Sequence, residues 1–285
     1  ALQHFDARGE LAREAPGLWR TVSLVAGILL VIGVAGGLTW RANRAEDETL
    51  HGPIAVSAFS NETGDPALDT WGRLAGDWIT EGLHGLGALG VVPWTSSLKA
   101  SELIDAERGA ARPVDPVAVL RSETGAGTVI TGAYYKVGDS LRFHAEVTDA
   151  QGGRVLTTLP PVTVPIQSPE NAISELRQRV MGMVAVSQNT GLSKVTGLTR
   201  RPPTFEAYQA FEHGLTLSRD QEYDQAFPEF VRAFAADSQF TSALLSAATT
   251  SWNTGQTRVM DSLLKEIRKR ESELNEYQRL RLEAM

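Results

Sequence analysis

The fold of the central domain is decided by the stretch TVITGAYYKVGDSLRFHAEVT, which runs from Thr128 to Thr148. Two runs rich in β-branched and aromatic residues flank Gly138-Asp139, a pair typical of a two-residue hairpin turn. In the second run apolar and polar residues alternate, which predicts a strand with one buried face. The apolar face carries Leu141, Phe143, Ala145 and Val147, and the other face carries Arg142, His144, Glu146 and Thr148. The stretch therefore predicts an antiparallel β-hairpin.

The segments around this hairpin predict a mixed sheet with helices packed on it. Upstream, we expect a strand at Ile54–Phe59, a helix from Leu68, a short second strand at Gly90–Trp94 and a helix that starts at Asp115-Pro116. Downstream, Pro160 and Pro161 mark Val155–Val164 as an edge strand, because proline cannot donate to a sheet ladder. A helix then runs from Pro169 to about Val186. The order β-α-β-α-β-β-β-α predicts an α/β domain over residues 53–187.

The most apolar stretch lies before this domain. Residues 21–40 carry no charge, and a helix of that length spans about 30 Å, the thickness of a bilayer core. Acidic residues upstream disfavour a cleaved signal peptide. We therefore predict a cytoplasmic segment over 1–20, a transmembrane helix over 21–40 and a linker over 41–52. The predicted flanks of the span are Trp19, Arg20, Trp40 and Arg41.

The same stretch leads to expectations about location and association. The arginine distribution predicts a single-pass membrane protein, in contact with the lipid bilayer, with residues after 41 outside the cytoplasm. Gly33 and Gly37 have the spacing of closely packed membrane helices, which predicts a homodimer through the span.

The last part of the sequence is wholly helical in pattern. A polar linker over 188–203 precedes residues 204–285, where small residues recur as in helical repeats with a period of about 34 residues. The pattern of such a repeat is matched by Gly214, Tyr223, Ala226, Phe230 and Ala233. A second repeat is degenerate, and an unrelated helical hairpin is the alternative. The chain opens on Ala1 and closes inside a helical pattern, so we expect a fragment of a longer protein with further repeats.

Composition and motifs exclude several kinds of chemistry. The net charge of −7 disfavours nucleic acid as a partner, and the absence of Cys excludes thiol chemistry. Gly85-x-Gly87-x-x-Gly90 follows a predicted helix instead of a strand, which is the wrong context for a dinucleotide site. Ser96-x-x-Lys99 has none of the partner motifs of an acyl-enzyme. We predict no catalytic residue, no metal and no cofactor in this chain.

Two segments carry a resemblance to a known family. IAVSAFSNETGDP at 54–66 and TGAYYKVGDSLRFHAEVTDAQGGRVL at 131–156 resemble the TolB-like amino-terminal domain, although Ser57-Ala58 stands where that family has Leu-Pro. The pattern after residue 203 resembles tetratricopeptide (TPR) repeats. Together they resemble the region that follows the membrane span in bacterial receptor-type serine/threonine kinases.

This resemblance implies a protein of the bacterial inner membrane that acts in signal transduction. The chain would be the extracytoplasmic sensor or protein-interaction region of a kinase whose catalytic domain is not in this chain. It implies that proteins or peptides bind to the TPR-like helices. The alternatives are an envelope assembly scaffold and a small-molecule hydrolase in the α/β domain.

Overall fold

A computed structural model of the chain describes residues 50–87, 90–107, 114–189 and 202–285, which belong to one compact unit, 49–285. The strands are β1 (Ile54–Val56), β2 (Ser60–Asn61), β3 (Thr128–Val137), β4 (Ser140–Asp149), β5 (Arg154–Thr158) and β6 (Val162–Pro165). The first four helices are α1 (Asp69–His84), α2 (Trp94–Glu107), α3 (Pro116–Thr124) and α4 (Pro169–Gln188). The later helices are α5 (Phe205–Arg219), α6 (Tyr223–Ala236), α7 (Thr241–Asn253), α8 (Thr257–Arg268) and α9 (Glu276–Glu283), and 3₁₀ turns form at Pro66–Leu68 and Glu271–Glu273.

The hairpin predicted from the sequence is confirmed. β3 and β4 pair antiparallel over their whole length, from Thr128 opposite Asp149 to Val137 opposite Ser140. Gly138 has a φ of 59°, whereas the φ of Asp139 is not positive. A positive φ at only the first central residue is the property of a type II′ turn, whose twist suits a hairpin.

Each outer position of the sheet is occupied by two short strands in succession. β1 and β2 both pair in parallel with β3, and β5 and β6 pair antiparallel with opposite ends of β4. The interruption between β5 and β6 contains Pro160 and Pro161, so the predicted edge position of this segment is confirmed.

The predicted strand at Gly90–Trp94 is wrong in its length. Only Val91 forms a bridge, parallel to Ile54, and α2 already begins at Trp94. Ile54 donates its N–H to the carbonyl of Gly90, and Val92 donates to the carbonyl of Ile54, both at 2.9 Å. Pro93 has no N–H to extend this ladder, so the strand stops there.

The helix starts follow the capping residues. Asp115 accepts a hydrogen bond from the N–H of Val117 at 3.0 Å, with Pro116 in the first turn of α3 as predicted. Asp65 caps the 3₁₀ turn that precedes α1, through the N–H of Ala67 at 3.1 Å.

Helices cover both faces of the sheet. Successive residues of β1 point to opposite faces, so Ile54 and Val56 pack with α1 and α4, while Ala55 packs with α2 and α3. The α1/α4 face holds the larger core, with Tyr134 and Phe143 stacked at 4.8 Å between ring centroids.

Helix α4 joins the α/β layer to the helices that follow. Its buried residues from Ala172 to Val184 pack in the sheet core, whereas Ala185 and Val186 belong to the core that contains Phe211 and Phe230. Gly182 lies against the backbone of Pro203, so closely that a Cβ would overlap the Pro203 carbonyl oxygen. An ion pair also crosses this junction, since a guanidinium nitrogen of Arg179 lies 3.5 Å from the carboxylate of Asp237, which follows α6.

The predicted fold class needs one correction. Within the four described ranges, no helix has both the length and the apolar composition to cross a bilayer. α4 has the length, at 20 residues, but it carries Glu175, Arg177 and Arg179. The transmembrane helix is therefore removed from the fold class, which becomes a mixed α/β sheet followed by α-helical hairpins. The predicted span over 21–40, its flanks and the Gly33/Gly37 pair lie outside the described residues.

Candidate functional site

The helices after residue 204 repeat one structural unit. α5 and α7 end at Arg219 and Asn253, and α6 and α8 begin at Tyr223 and Thr257. The ends of α5 and α7 are 34 residues apart in the sequence, and so are the starts of α6 and α8. This interval agrees with the period of about 34 residues that TPR-like arrays have. The two hairpins therefore place their turns at equivalent positions.

The two turns also share their hydrogen bonds. After α5, Gln221 donates its N–H to the carbonyl of Ser218 at 3.2 Å, and Glu222 donates to that of Leu217 at 2.9 Å. At the equivalent positions after α7, Gly255 bonds the carbonyl of Trp252 at 3.0 Å and Gln256 bonds that of Ser251 at 2.8 Å. This pair of bonds defines the Schellman motif, whose αL residue is Gln221 (φ 64°) in one turn and Gly255 (φ 70°) in the other.

The residues predicted as a TPR signature lie inside the first hairpin. A Cβ on Gly214 would stand 2.8 Å from Cε1 of Phe230, so the small residue admits the aromatic ring. Ala226 and Ala233 are fully buried in the same cluster as Phe230, and half-buried Tyr223 begins α6. These positions hold the two helices together and present little surface to a partner.

Both hairpins expose apolar side chains: the first exposes Val231 of α6, at 41%, and the second exposes two residues beside its turn. Trp252, at the end of α7, is 59% exposed, and Val259, in the first turn of α8, is 37% exposed. We call these two residues, on either side of the α7–α8 turn, the Trp252 surface. The equivalent residues of the first hairpin are Ser218 and Gln225, which are polar. The repeat thus folds without apolar side chains at these positions, and comparison of the two repeats in the sequence would have singled them out.

The last helix adds further exposed apolar area. α9 packs on α7 through Gln278, whose Nε2 donates to Oγ of Ser242 at 2.9 Å, and through Arg281, which donates to Oγ1 of Thr249 at 2.9 Å. On α9, Tyr277 is 40% exposed and Leu280 is 58% exposed. Large exposed hydrophobic residues are therefore frequent in α7, α8 and α9.

The chemical motifs do not assemble into a catalytic arrangement. Gly85 follows the end of α1, so the glycine-rich stretch lies at a helix carboxyl terminus, which does not attract phosphate. Ser96 and Lys99 both lie on α2, and no hydrogen bond joins them. In the part of the chain that the structure describes, no group of His, Asp and Glu is placed to hold a metal ion.

Comparison with known proteins gives likenesses of part of the chain. Escherichia coli LpoB is similar over 41% of this chain and 58% of its own, with 14% identity and a TM-score of 0.31. Lipoprotein GNA1162 from Neisseria meningitidis is similar over 40% of this chain and 81% of its own, with 20% identity and a TM-score of 0.30. TolB from Acinetobacter baumannii is similar over 51% of this chain and 29% of its own, with 18% identity and a TM-score of 0.26. The likeness thus spans just over half of LpoB and less than a third of TolB. No protein-family model and no curated protein sequence matches the chain.

Proposed function

We propose that this chain is a non-enzymatic protein-interaction module whose helical hairpins bind a partner protein. The observation that carries the proposal is the exposure of Trp252 at a position where the equivalent hairpin has Ser218. Tryptophan is enriched among the residues that dominate binding energy at protein interfaces, because its large ring is desolvated on contact. An exposed Trp that the repeat does not need for folding is therefore available for a partner.

The repeat itself supports this proposal. Helical hairpins that recur with the TPR period and have small residues at the helix crossing are typical of arrays that bind protein segments on their surfaces. Gly214 against Phe230, and the matching turns at Gln221 and Gly255, are the features of this chain that fit such an array.

Among the functions predicted from the sequence, an assembly scaffold fits these features best. A scaffold needs only surfaces that bind, and the two hairpins supply them. The link to a receptor kinase rests on the resemblance of the sequence alone, and a hydrolase would need a paired nucleophile and base, which Ser96 and Lys99 do not form. We place the scaffold outside the cytoplasm, in the bacterial envelope, and fractionation of cells expressing the full-length protein tests this location.

Substitutions that copy residues of the first hairpin into the second test the binding role with little risk to the fold. Trp252→Ser and Val259→Gln introduce the side chains found at the equivalent positions of the first hairpin, so thermal unfolding should change little. A photo-crosslinking amino acid at position 252 should give a defined crosslinked partner in cells, and none should form from position 103, where Leu103 of α2 is 48% exposed.

The binding measurement then uses that partner. The double variant should weaken its affinity by about 2 kcal/mol, or roughly 30-fold, as expected for the loss of an aromatic anchor. Unchanged affinity in a normally folded double variant would refute the proposal that the Trp252 surface binds the partner.

A further inference from the structure

A cleft opens in the α/β layer beyond the carboxyl end of β1, on the side covered by α2. Its volume is about 230 Å³, and its polar lining includes Ser57, Ser101, Asp105, Thr131, His144 and Glu146. From β1 the chain crosses through α1 to Val91 on one side of β1, and then through α2 and α3 to β3 on the other side. In sheets of this kind, ligands bind beyond the strand ends where the connections diverge in this way.

Strand alternation directs several side chains into this cleft. Ser57 lies two residues after Ala55, so it points to the same side of the sheet, toward α2. On β3 and β4, Thr131 is opposite Glu146 and Ala133 is opposite His144. His144, which the sequence pattern indicates as a solvated residue, therefore lies on a wall of the cleft.

Ser57 supplies the cleft with a hydrogen-bonding group that does not depend on charge. The residue is only 4% exposed, and its hydroxyl makes no hydrogen bond to any described residue. Ser101, which also lines the cleft, is satisfied, since its Oγ accepts from the N–H of Ala58 and donates to the carbonyl of Ser97, both at 2.9 Å. The Ser57 oxygen is not fully enclosed by protein, so it is open to the cleft and free to hydrogen-bond a group bound there.

The charges of the cleft select the kind of ligand. Glu146 lines it, and no Lys or Arg is among its described lining residues. Glu146 is half-buried and has no ion-pair partner in the described ranges. A partly desolvated carboxylate favours a cation with N–H groups, because a charge-assisted hydrogen bond is stronger than a neutral one.

We propose that this cleft binds a primary ammonium group, with Glu146 as its counter-charge and the Ser57 hydroxyl as a hydrogen-bond acceptor. The small residues Ala58 and Ala133 leave room for the carbon chain that carries the ammonium. The ammonium belongs either to a lysine side chain of a protein or to a free amine. This site is separate from the Trp252 surface, and the proposal does not depend on the proposed function.

The test is a titration of the full-length chain with three probes. Isothermal titration calorimetry and amide chemical shifts measure the binding. Cadaverine represents a free amine, Nα-acetyl-lysine methylamide represents a lysine side chain, and the Nε-acetylated form of the latter is the neutral control. We expect saturable binding of at least one cationic probe and none of the neutral one. Tighter binding of the lysine derivative would assign the site to a protein ligand, and tighter binding of cadaverine would assign it to a free amine.

Variants show whether the cleft is the binding site. Glu146→Gln should weaken binding about tenfold or more, and Ser57→Ala should weaken it less, whereas Glu123→Gln on the exposed part of α3 should have no effect. Circular dichroism verifies that each variant is folded. Equal binding by Glu146→Gln, equal binding of the neutral probe, or no binding at all would overturn the proposal.

One further variant addresses residues 108–113, which follow α2 in the sequence, lie outside the described residues and include Arg108 and Arg112. Binding of the amines should be present in the unaltered chain. If the amines bound only to the double variant Arg108→Gln/Arg112→Gln, the chain's own arginines would be the ion-pair partners of the cleft carboxylates. That result would also overturn the proposal.

Discussion

The two Schellman turns allow a paired test of the helical repeat. Gln221 and Gly255 occupy equivalent positions with φ of 64° and 70°, a region that residues with a Cβ rarely adopt. Exchange of the residue types should therefore move stability in opposite directions. We expect Gln221→Gly to stabilise the protein and Gly255→Gln to destabilise it.

The magnitude follows from two opposing terms. A residue with a Cβ in the left-handed region costs about 1–2 kcal/mol, which Gln221→Gly removes. The added glycine makes the unfolded chain more flexible, which costs about 0.4–1 kcal/mol. The net gain is therefore about 0.5–1 kcal/mol, and Gly255→Gln should lose a similar amount. No atom lies within 4 Å of a Cβ at position 255, so steric overlap does not add to this loss.

Urea unfolding followed by circular dichroism measures these differences. In a unit of this size each kcal/mol corresponds to about 2–4 °C in Tm, so thermal unfolding provides a second readout. Glu222→Gly is the control, because Glu222 has a φ of −81° and makes no capping hydrogen bond with its side chain, so glycine there makes the unfolded chain more flexible without removing left-handed strain. If Gln221→Gly destabilised the protein as much as Glu222→Gly, the αL conformation at Gln221, and with it the equivalence of the two turns, would be refuted.

Two further predictions concern the packing of the α/β layer. Gly182→Ala should destabilise the protein by about 1–3 kcal/mol in urea, because its Cβ would overlap the carbonyl oxygen of Pro203; an unchanged midpoint would show that α4 and Pro203 are not in contact. Burial raises the pKa of Tyr134 from 10.0 to about 12, and its hydroxyl donates to the carbonyl of Leu68 at 2.8 Å. The stabilising contribution of the neutral phenol is complete below pH 10 and is lost as the pH rises toward 12. The free energy of unfolding of Tyr134→Phe should therefore fall less steeply with pH across this window than that of the unaltered protein. Identical slopes would contradict the raised pKa of Tyr134.

Local sequence patterns were sufficient to predict the structural features whose physical cause is local. The alternation in β4, the turn at Gly138 and the cap at Asp115 each depend on residues within a few positions of one another, and the structure confirms all three. The short bridge at Val91 was harder to predict, because an apolar run before a proline is compatible with either a strand or a loop.

The predicted span illustrates the limit of composition as evidence. Length and apolar character predicted a transmembrane helix over 21–40, yet none of the helices in the described ranges has these properties. Hydropathy reports the cost of exposure to water, and it does not specify which surroundings remove a segment from water.

Residue order was enough to predict the hairpin, the helix starts and the small residues of the helical repeat, because these depend on backbone conformation and side-chain size near one point of the chain. Tertiary packing was needed to show that α4 contributes to two cores, that Trp252 is exposed and that Ser57 and Glu146 line one cleft. Ser57 precedes α1 and Glu146 lies on β4, so their proximity comes from the crossover that places β1 beside β3. Contacts between distant parts of the chain depend on how whole elements pack, and no local pattern of residues encodes them.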